Sequence, residues 1–340
     1  MTPPEVTRQG VANPRPGRQA PTGGRRGGAE AAMVPEATFD SYYGKPVINQ
    51  PVWESPDIPG YFYFGGLAGA SSVMAAAAEA SRRPRLARAS KLAAAGGLGL
   101  SLLGLIHDLG RPERFLNMLR VFKPTSPMSV GSWLLSIYGP LAVAAAGSEV
   151  TGWFPRAGTA AAFGAALVGP AVASYTGVLV ADTAVPAWHE GHREMPYVFV
   201  SSAAVAAAGA GLLSAPVAEN APARRMAAIG VAGELAGSAL MERRMGLVAE
   251  PYRRGKAGAL VRAGQGLAVV GAAGAALAGR RSRLAAALSG LALMVGSACT
   301  KWGIFEAGLA SARDPRYTVV PQRQRAGTVG EHRTGQPPPG

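Results

Sequence analysis

The stretch His107–Trp133 reads HDLGRPERFLNMLRVFKPTSPMSVGSW and joins two long apolar segments. It is opposite to them in character, because charged and amide side chains recur along it. Pro112, Pro124 and Pro127 prevent it from forming one continuous helix. It is either a solvated connector or a structured surface that docks a partner and contacts a ligand. The rest of the chain favours the structured surface.

The apolar segments around this stretch decide the fold class. Apolar residues make up 48 % of the 340 residues. They gather in runs of about 20 residues, the length that spans a ~30 Å hydrocarbon core. The sequence therefore predicts an all-α polytopic membrane protein with eight transmembrane helices. The predicted spans are 59–80, 88–108, 129–149, 157–180, 196–215, 223–242, 258–279 and 284–306.

The two ends of the chain differ from this middle part. Residues 1–38 and 313–340 are polar and rich in Pro, Gly and Arg, so we expect disordered tails around a membrane domain at 39–312. An even number of spans puts both termini on one face, here named side A. Lys and Arg are denser in the short loops of the opposite face, side B, which favours a cytoplasmic side B and an extracytoplasmic side A. Side A also holds the loops at 109–128, 181–195 and 243–257.

Composition excludes several classes of function. The net charge of +14 comes largely from arginine clusters beside apolar runs, which is typical of membrane anchoring rather than nucleic-acid binding. The single cysteine, Cys299, excludes an internal disulfide or a cysteine-ligated cluster. Of the four histidines only His107 lies at membrane depth, so a bis-histidine haem between spans is excluded. We therefore expect no metal or haem in this chain.

Polar and aromatic residues from the first four spans converge on side A. His107 and Asp108 end the second span, and they form either a solvated helix end or a proton-exchange pair. In the second interpretation His107 hydrogen-bonds a quinone carbonyl and Asp108 fixes its tautomer. Tyr175 is a second donor, and Tyr63 and Trp133 flank the ring, as an apolar slot with few polar groups requires.

Acids inside or beside the later spans form a second signal. Glu234 lies midway along the sixth span, where an ionisable group is costly, and it is either a proton relay or a structural acid. Arg262 and Gln265 are plausible counter-groups, and Asp182 is a further relay candidate. His189 and His192 form a possible metal pair without an evident third ligand, so we predict no metal site.

Three stretches of the chain resemble the NrfD-like polysulphide reductase membrane-anchor family, of the NrfD/PsrC type. They are DLGRPERFLNMLRVFKPTSPMSVGSW at 108–133, YYGKPVINQPVWESPDIPGYFYFGGLAGASS at 42–72 and YTGVLVADTAVPAWH at 175–189. The resemblance extends over roughly residues 40–310. It differs in the first span, where aromatic residues and glycines replace an Asn and a His that bind quinone in the family's best-known members. Asp182 stands where a small uncharged residue is expected.

The resemblance implies an eight-helix subunit of two four-helix bundles in the bacterial cytoplasmic membrane. Such a subunit passes electrons between menaquinone or ubiquinone and a ferredoxin-like iron–sulfur subunit, which connects to a molybdopterin-type catalytic subunit. The partner is expected to dock on the polar loop after the second span, through Arg111, Arg114, Asn117, Arg120 and Lys123.

Two other functions are compatible with the sequence. A proton-coupled transporter or permease would use Glu234 as its coupling acid and a midplane site between broken helices. Gly139-Pro140 and Gly169-Pro170 are possible breaks, although no internal repeat is evident. A structural anchor would hold its partner without contacting quinone.

Overall fold

The computed structural model describes residues 47–51, 53–108 and 117–334, with the backbone only for 326–334. Near the N-terminus it also gives two short antiparallel strands, β1 (Val6–Thr7) and β2 (Gly10–Val11). The remainder of the expected tail at 1–38 lies outside the described residues.

Helices make up the rest of the described secondary structure. They are α1 Asp57–Ala80, α2 Pro84–Asp108, α3 Pro127–Thr151, α4 Pro155–Ala181, α5 Pro186–His189, α6 Met195–Ser214, α7 Ala221–Met245, α8 Glu250–Arg253, α9 Gly255–Leu277, α10 Arg283–Arg313 and α11 Arg316–Thr334. Proline is the first residue of α2, α3 and α4. A backbone N–H at this position has no hydrogen-bond acceptor within the helix, so its absence in proline costs the helix no hydrogen bond. All eight segments predicted as spans coincide with long helices.

Six of the described helices are long and apolar enough to cross a membrane, namely α2, α3, α4, α6, α9 and α10. The prediction of eight spans is thus confirmed for six. Helix α7 falls short because it carries Arg224, Arg225 and Glu234, and α1 because tyrosine, glycine and serine dilute its apolar residues. Helix α1 is nevertheless buried along most of its length, since it packs against α2, α4 and α6.

The long helices pack in two groups. In the N-terminal group (α1–α4), α1 contacts α2 and α4, and α3 contacts α4. In the C-terminal group (α6, α7, α9 and α10), α6 contacts α7 and α10, and α9 contacts α10. The groups meet where α1 and α4 pack on α6. Large apolar side chains such as Leu167 and Ile229 are exposed on the outside, as a lipid-facing surface requires.

Glycine pairs allow the closest crossings in both groups. A Cβ built on Gly69 of α1 would lie 2.3 Å from the carbonyl oxygen of Gly169 on α4, and the converse distance is the same. Gly209 of α6 and Gly290 of α10 repeat this arrangement at 2.5 Å. Helices in lipid associate through such close van der Waals packing, because no hydrophobic force drives them together.

The C-terminal segment differs from the disordered tail that we expected. Residues 316–334 form α11, whose first part is tied to side-A loops by ion pairs. Arg316 pairs with Glu250 at 2.9 Å, and Arg325 pairs with Glu190. Charged side chains of α11 therefore pair with charged side chains of the loops instead of remaining fully solvated.

Candidate functional site

His107 lies in the last turn of α2, at the side-A surface, with 80 % of its side chain exposed. Its Nδ1 is 2.7 Å from Oδ2 of Asp57, which lies in the first turn of α1. Asp108 instead accepts a long hydrogen bond, 3.5 Å, from the backbone N–H of Glu54. The carboxylate that orients the imidazole is therefore Asp57 and not, as the sequence suggested, Asp108. A carboxylate at the start of α1 is also favoured by the helix dipole.

Tyr175 and Trp133 lie where α4 ends and α3 begins. The Tyr175 ring is buried against Gly131, where a Cβ would lie 2.1 Å from the ring's Cε2. Trp133 is half-buried, and Phe122 contacts its indole edge-on at 6.1 Å between ring centroids. The indole Nε1 is buried and has no hydrogen-bond partner among the described residues. A buried donor without a partner is rare in a folded protein and needs an explanation.

Tyr63 does not join this group. It belongs to an apolar cluster with Leu67 of its own helix and Ala203 and Ala207 of α6, and Trp302 packs against this cluster. Tyr175 belongs to a different apolar cluster, together with Leu135. The structure therefore places Tyr63 on the face of α1 that meets the C-terminal group.

The loop before α3 presents the predicted docking residues. Asn117, Arg120 and Lys123 are exposed, and Arg111 and Arg114 lie outside the described residues. Ser129 holds the loop, since its hydroxyl accepts from the Lys123 N–H at 3.0 Å and donates to the Val121 carbonyl at 3.1 Å. Val121 and Phe122 are 69 % and 56 % exposed between these polar residues. Exposed apolar side chains with a polar rim are typical of a protein-binding surface.

Glu234 lies fully inside the C-terminal group. Its Oε1 accepts a 2.6 Å hydrogen bond from Thr300, and its Oε2 has no partner in the part of the chain that the structure describes. The buried Lys301 donates to the Phe199 carbonyl at 3.2 Å and lies 3.5 Å from the centre of its ring. The neighbouring hydroxyls of Ser202 and Ser297 are 2.9 Å apart.

Arg262, one of the two expected counter-groups of Glu234, lies elsewhere. Arg262 is exposed and donates to the carbonyl of Arg253, so it is not a partner of the buried acid. Thr300 supplies the hydrogen bond to the buried acid, and the sequence analysis missed this pair because its members are 66 residues apart. Asp182 caps α4 in an exposed position, away from this interior. His189 and His192 stack at 6.0 Å, and no group of three potential metal ligands occurs among the described residues.

A third polar cluster, at side B, was also missed. The ammonium group of Lys91 is buried and pairs with Glu79 of α1 and, at 2.9 Å, with Glu149 of α3. Lys91 interrupts the apolar run of the second span, and that interruption is the signal that should have identified it.

A helical chain with several apolar spans and internal charged clusters is a multi-pass membrane protein. Residues 46–248 match the family model described as Polysulphide reductase, NrfD. Because this match covers more than half of the chain, the protein belongs to that family, whose members are membrane subunits of oxidoreductase complexes. The family predicted from the three stretches is thus confirmed. A comparison with curated proteins gave no significant match.

Proposed function

We propose that this chain is the quinone-reactive membrane subunit of a multi-subunit oxidoreductase in the bacterial cytoplasmic membrane. It passes electrons between membrane quinone, either menaquinone or ubiquinone, and a ferredoxin-like iron–sulfur subunit on side A. A molybdopterin-type subunit completes the complex. All eight long helices cross the membrane, as two four-helix bundles. The family match over 46–248 carries this proposal, because it includes the polar loop and the helix ends at side A.

The side-A residues fit a quinone head group. The Nε1–H of Trp133 has no acceptor among the described residues, and a quinone carbonyl would supply one. His107, exposed and held by Asp57 at 2.7 Å, is a second donor that is open to solvent. The Tyr175 ring forms the apolar wall of the proposed quinone site near α3. Tyr63 lies on the α6-facing side of α1, in a different apolar cluster, and is therefore left out of the proposed quinone site.

Quinone reduction consumes two protons and two electrons, and quinol oxidation returns them. The His107 imidazole is suited to exchange such protons, since one ring nitrogen faces a carboxylate and the ring is accessible to water. Asp57 holds the ring orientation and stabilises its protonated form. Asp108 lies beside this pair and adds a second carboxylate.

The partner docks on the loop 117–123. Val121 and Phe122 provide the apolar contact, and Asn117, Arg120 and Lys123 provide the polar rim. Because Phe122 also contacts Trp133, the docked subunit comes within one side chain of the proposed quinone site. That arrangement suits electron transfer over a short distance.

Glu234 is proposed as a proton-relay acid in the C-terminal bundle. One of its oxygens accepts a hydrogen bond from Thr300, the other has no hydrogen-bond partner among the described residues and can accept a proton, and the hydroxyls of Ser202 and Ser297 provide further steps. Asp182, exposed at the end of α4, would serve only as an acceptor at the surface.

The test uses the complex purified from mildly solubilised membranes. His107→Gln and Asp57→Asn should each lower quinone-linked electron transfer by roughly tenfold or more, since a positioned acid–base group contributes at least that much. The matched control is His192→Gln, another side-A histidine, whose Nδ1 bonds the carbonyl of His189. All three variants should retain the iron–sulfur subunit.

Unchanged quinone-linked activity in His107→Gln and Asp57→Asn would refute the site. Recovery of the wild-type chain alone, with substrate uptake into vesicles, would instead support the transporter interpretation. Quinone-independent activity of an intact complex would support a structural anchor.

A further inference from the structure

Four arginines come together at side B, where the connections α1–α2, α6–α7 and α9–α10 meet. Arg83 lies between α1 and α2, Arg224 and Arg225 lie at the start of α7, and Arg280 lies between α9 and α10. Arg224 is within electrostatic range of the other three. Because these residues come from distant segments of the chain, helix packing is what brings their charges together.

Hydrogen bonds between the three connections hold this arginine cluster in place. Nη1 of Arg83 donates to the carbonyl of Ala218 at 3.1 Å. The buried Asn220 donates from Nδ2 to the Gly279 carbonyl at 3.0 Å, and its Oδ1 accepts from Nε of Arg224, also at 3.0 Å. Arg224 is half-buried. The fold therefore positions two of the guanidinium groups, whereas a general membrane anchor needs only side chains that extend into water.

The arginine cluster has no internal counter-charge. In the described part of the chain, none of the four residues forms an ion pair with a carboxylate. Glu219 is close in the chain, but its Oε2 accepts from the backbone N–H groups of Arg85 at 2.8 Å and Leu86 at 3.1 Å. At side A, by contrast, several arginines each pair with a glutamate, namely Arg244, Arg253, Arg254 and Arg316. An anion bound among the side-B arginines would relieve their mutual repulsion.

Exposed leucines flank the arginine cluster. Leu277 is 78 % exposed and lies three residues before Arg280, and Leu284, at the start of α10, is 69 % exposed. Arg283 donates to the carbonyl of Leu213, which is also exposed, and so ties the end of α6 to the start of α10. Positive groups beside exposed leucines match the two parts of a phospholipid, its charged head group and its acyl chains. A soluble anion would use only the positive groups.

We infer that Arg83, Arg224, Arg225 and Arg280 bind the head-group phosphate of an anionic phospholipid at side B. Its acyl chains lie on the exposed leucines at the end of α9 and the start of α10. Arginine suits this role because its planar N–H groups match phosphate oxygens, and basic pockets between membrane helices bind anionic head groups. Arg83 belongs to the N-terminal group and the other three arginines to the C-terminal group. The bound lipid therefore links the two helix groups at this face.

The experiment measures lipid binding to the purified full-length chain in detergent by native mass spectrometry. Phosphatidylglycerol is the anionic probe, and phosphatidylcholine is the zwitterionic control. Arg225→Gln and Arg280→Gln remove exposed side chains and leave the hydrogen bonds of Arg83 and Arg224 in place. Each should weaken phosphatidylglycerol binding roughly fivefold, and the double variant roughly 25-fold, as expected for basic side chains near anionic lipid. The matched control is Arg156→Gln, which removes an exposed arginine at the start of α4.

Wild-type phosphatidylglycerol should bind more tightly than phosphatidylcholine, and Arg156→Gln should match the wild type. Unchanged affinity in the double variant would overturn the inference, as would equal binding of the two lipids. Displacement of the bound lipid by millimolar inorganic phosphate would also overturn it, because the site would then accept a soluble anion. The measurement needs neither quinone nor a partner subunit, so its result is independent of the proposed function.

Discussion

Replacing Trp133 with phenylalanine should separate the roles of its indole N–H in stability and in binding. The N–H is buried without a partner in the described part of the chain, so removing it should relieve a penalty of about 1–3 kcal/mol. This relief offsets the packing lost with the smaller ring, which is already only half-buried. We therefore expect the thermal midpoint of the complex to change little. If the indole N–H of Trp133 were instead hydrogen-bonded within the protein, Trp133→Phe would lose both that hydrogen bond and the packing of the larger ring.

The same variant should bind quinone more weakly. A neutral hydrogen bond contributes about 0.5–1.5 kcal/mol, which corresponds to roughly a 2- to 12-fold loss of affinity. Quinone titration of electron transfer by the purified complex measures this change as a higher KM. Trp153→Phe is the control, because Trp153 is 72 % exposed at the opposite face. A clear loss of stability with an unchanged KM would refute the assignment of the indole N–H to quinone.

Three further outcomes are expected. Gly69→Ala should destabilise the protein by about 1–3 kcal/mol in unfolding measurements, because its Cβ meets backbone at 2.3 Å, whereas Gly96→Ala, with no atom within 4 Å, should be neutral or mildly stabilising. Hydrogen bonds from Arg244 lower the pKa of the Glu194 carboxyl, so this pair stabilises the fold above the ordinary glutamate pKa and loses its effect as the pH falls through the lowered value. Arg244→Gln should therefore flatten the acid limb of a stability–pH curve, and an unchanged limb would contradict this assignment. Glu234→Gln keeps an acceptor for Thr300 but cannot carry a proton, so it should leave folding intact and slow quinone-linked turnover by roughly tenfold, while an unchanged rate would make Glu234 a structural acid.

The helices were predictable from the sequence because hydrocarbon thickness imposes a length on each apolar run. The eight helices that match the predicted spans were located within four residues, except that α10 continues seven residues beyond the predicted end at 306. Apolarity alone does not establish whether α1 crosses the membrane, because its tyrosines and serines face other helices rather than lipid.

The site was predictable only in part, since it depends on contacts between distant segments. Asp57 was not paired with His107 because the two are 50 residues apart and meet only where α1 starts and α2 ends. Tyr63 was grouped with Tyr175 by depth, although rotation about the α1 axis directs it to α6. Membrane depth follows from sequence spacing, but the direction of a side chain depends on helix packing.

The position of Lys91 has a consequence for biogenesis. A lysine at the centre of a helix entering the bilayer alone costs about 2.5–3.5 kcal/mol on insertion scales, and Lys91, in the first third of the 25-residue α2, costs part of that. Glu79 lies in the helix synthesised before it, so an α1–α2 hairpin can enter with the charge already paired. Glu149 joins when α3 follows. The order of synthesis thus supplies Lys91 with a partner at its own insertion, and with a second one as the N-terminal helices assemble.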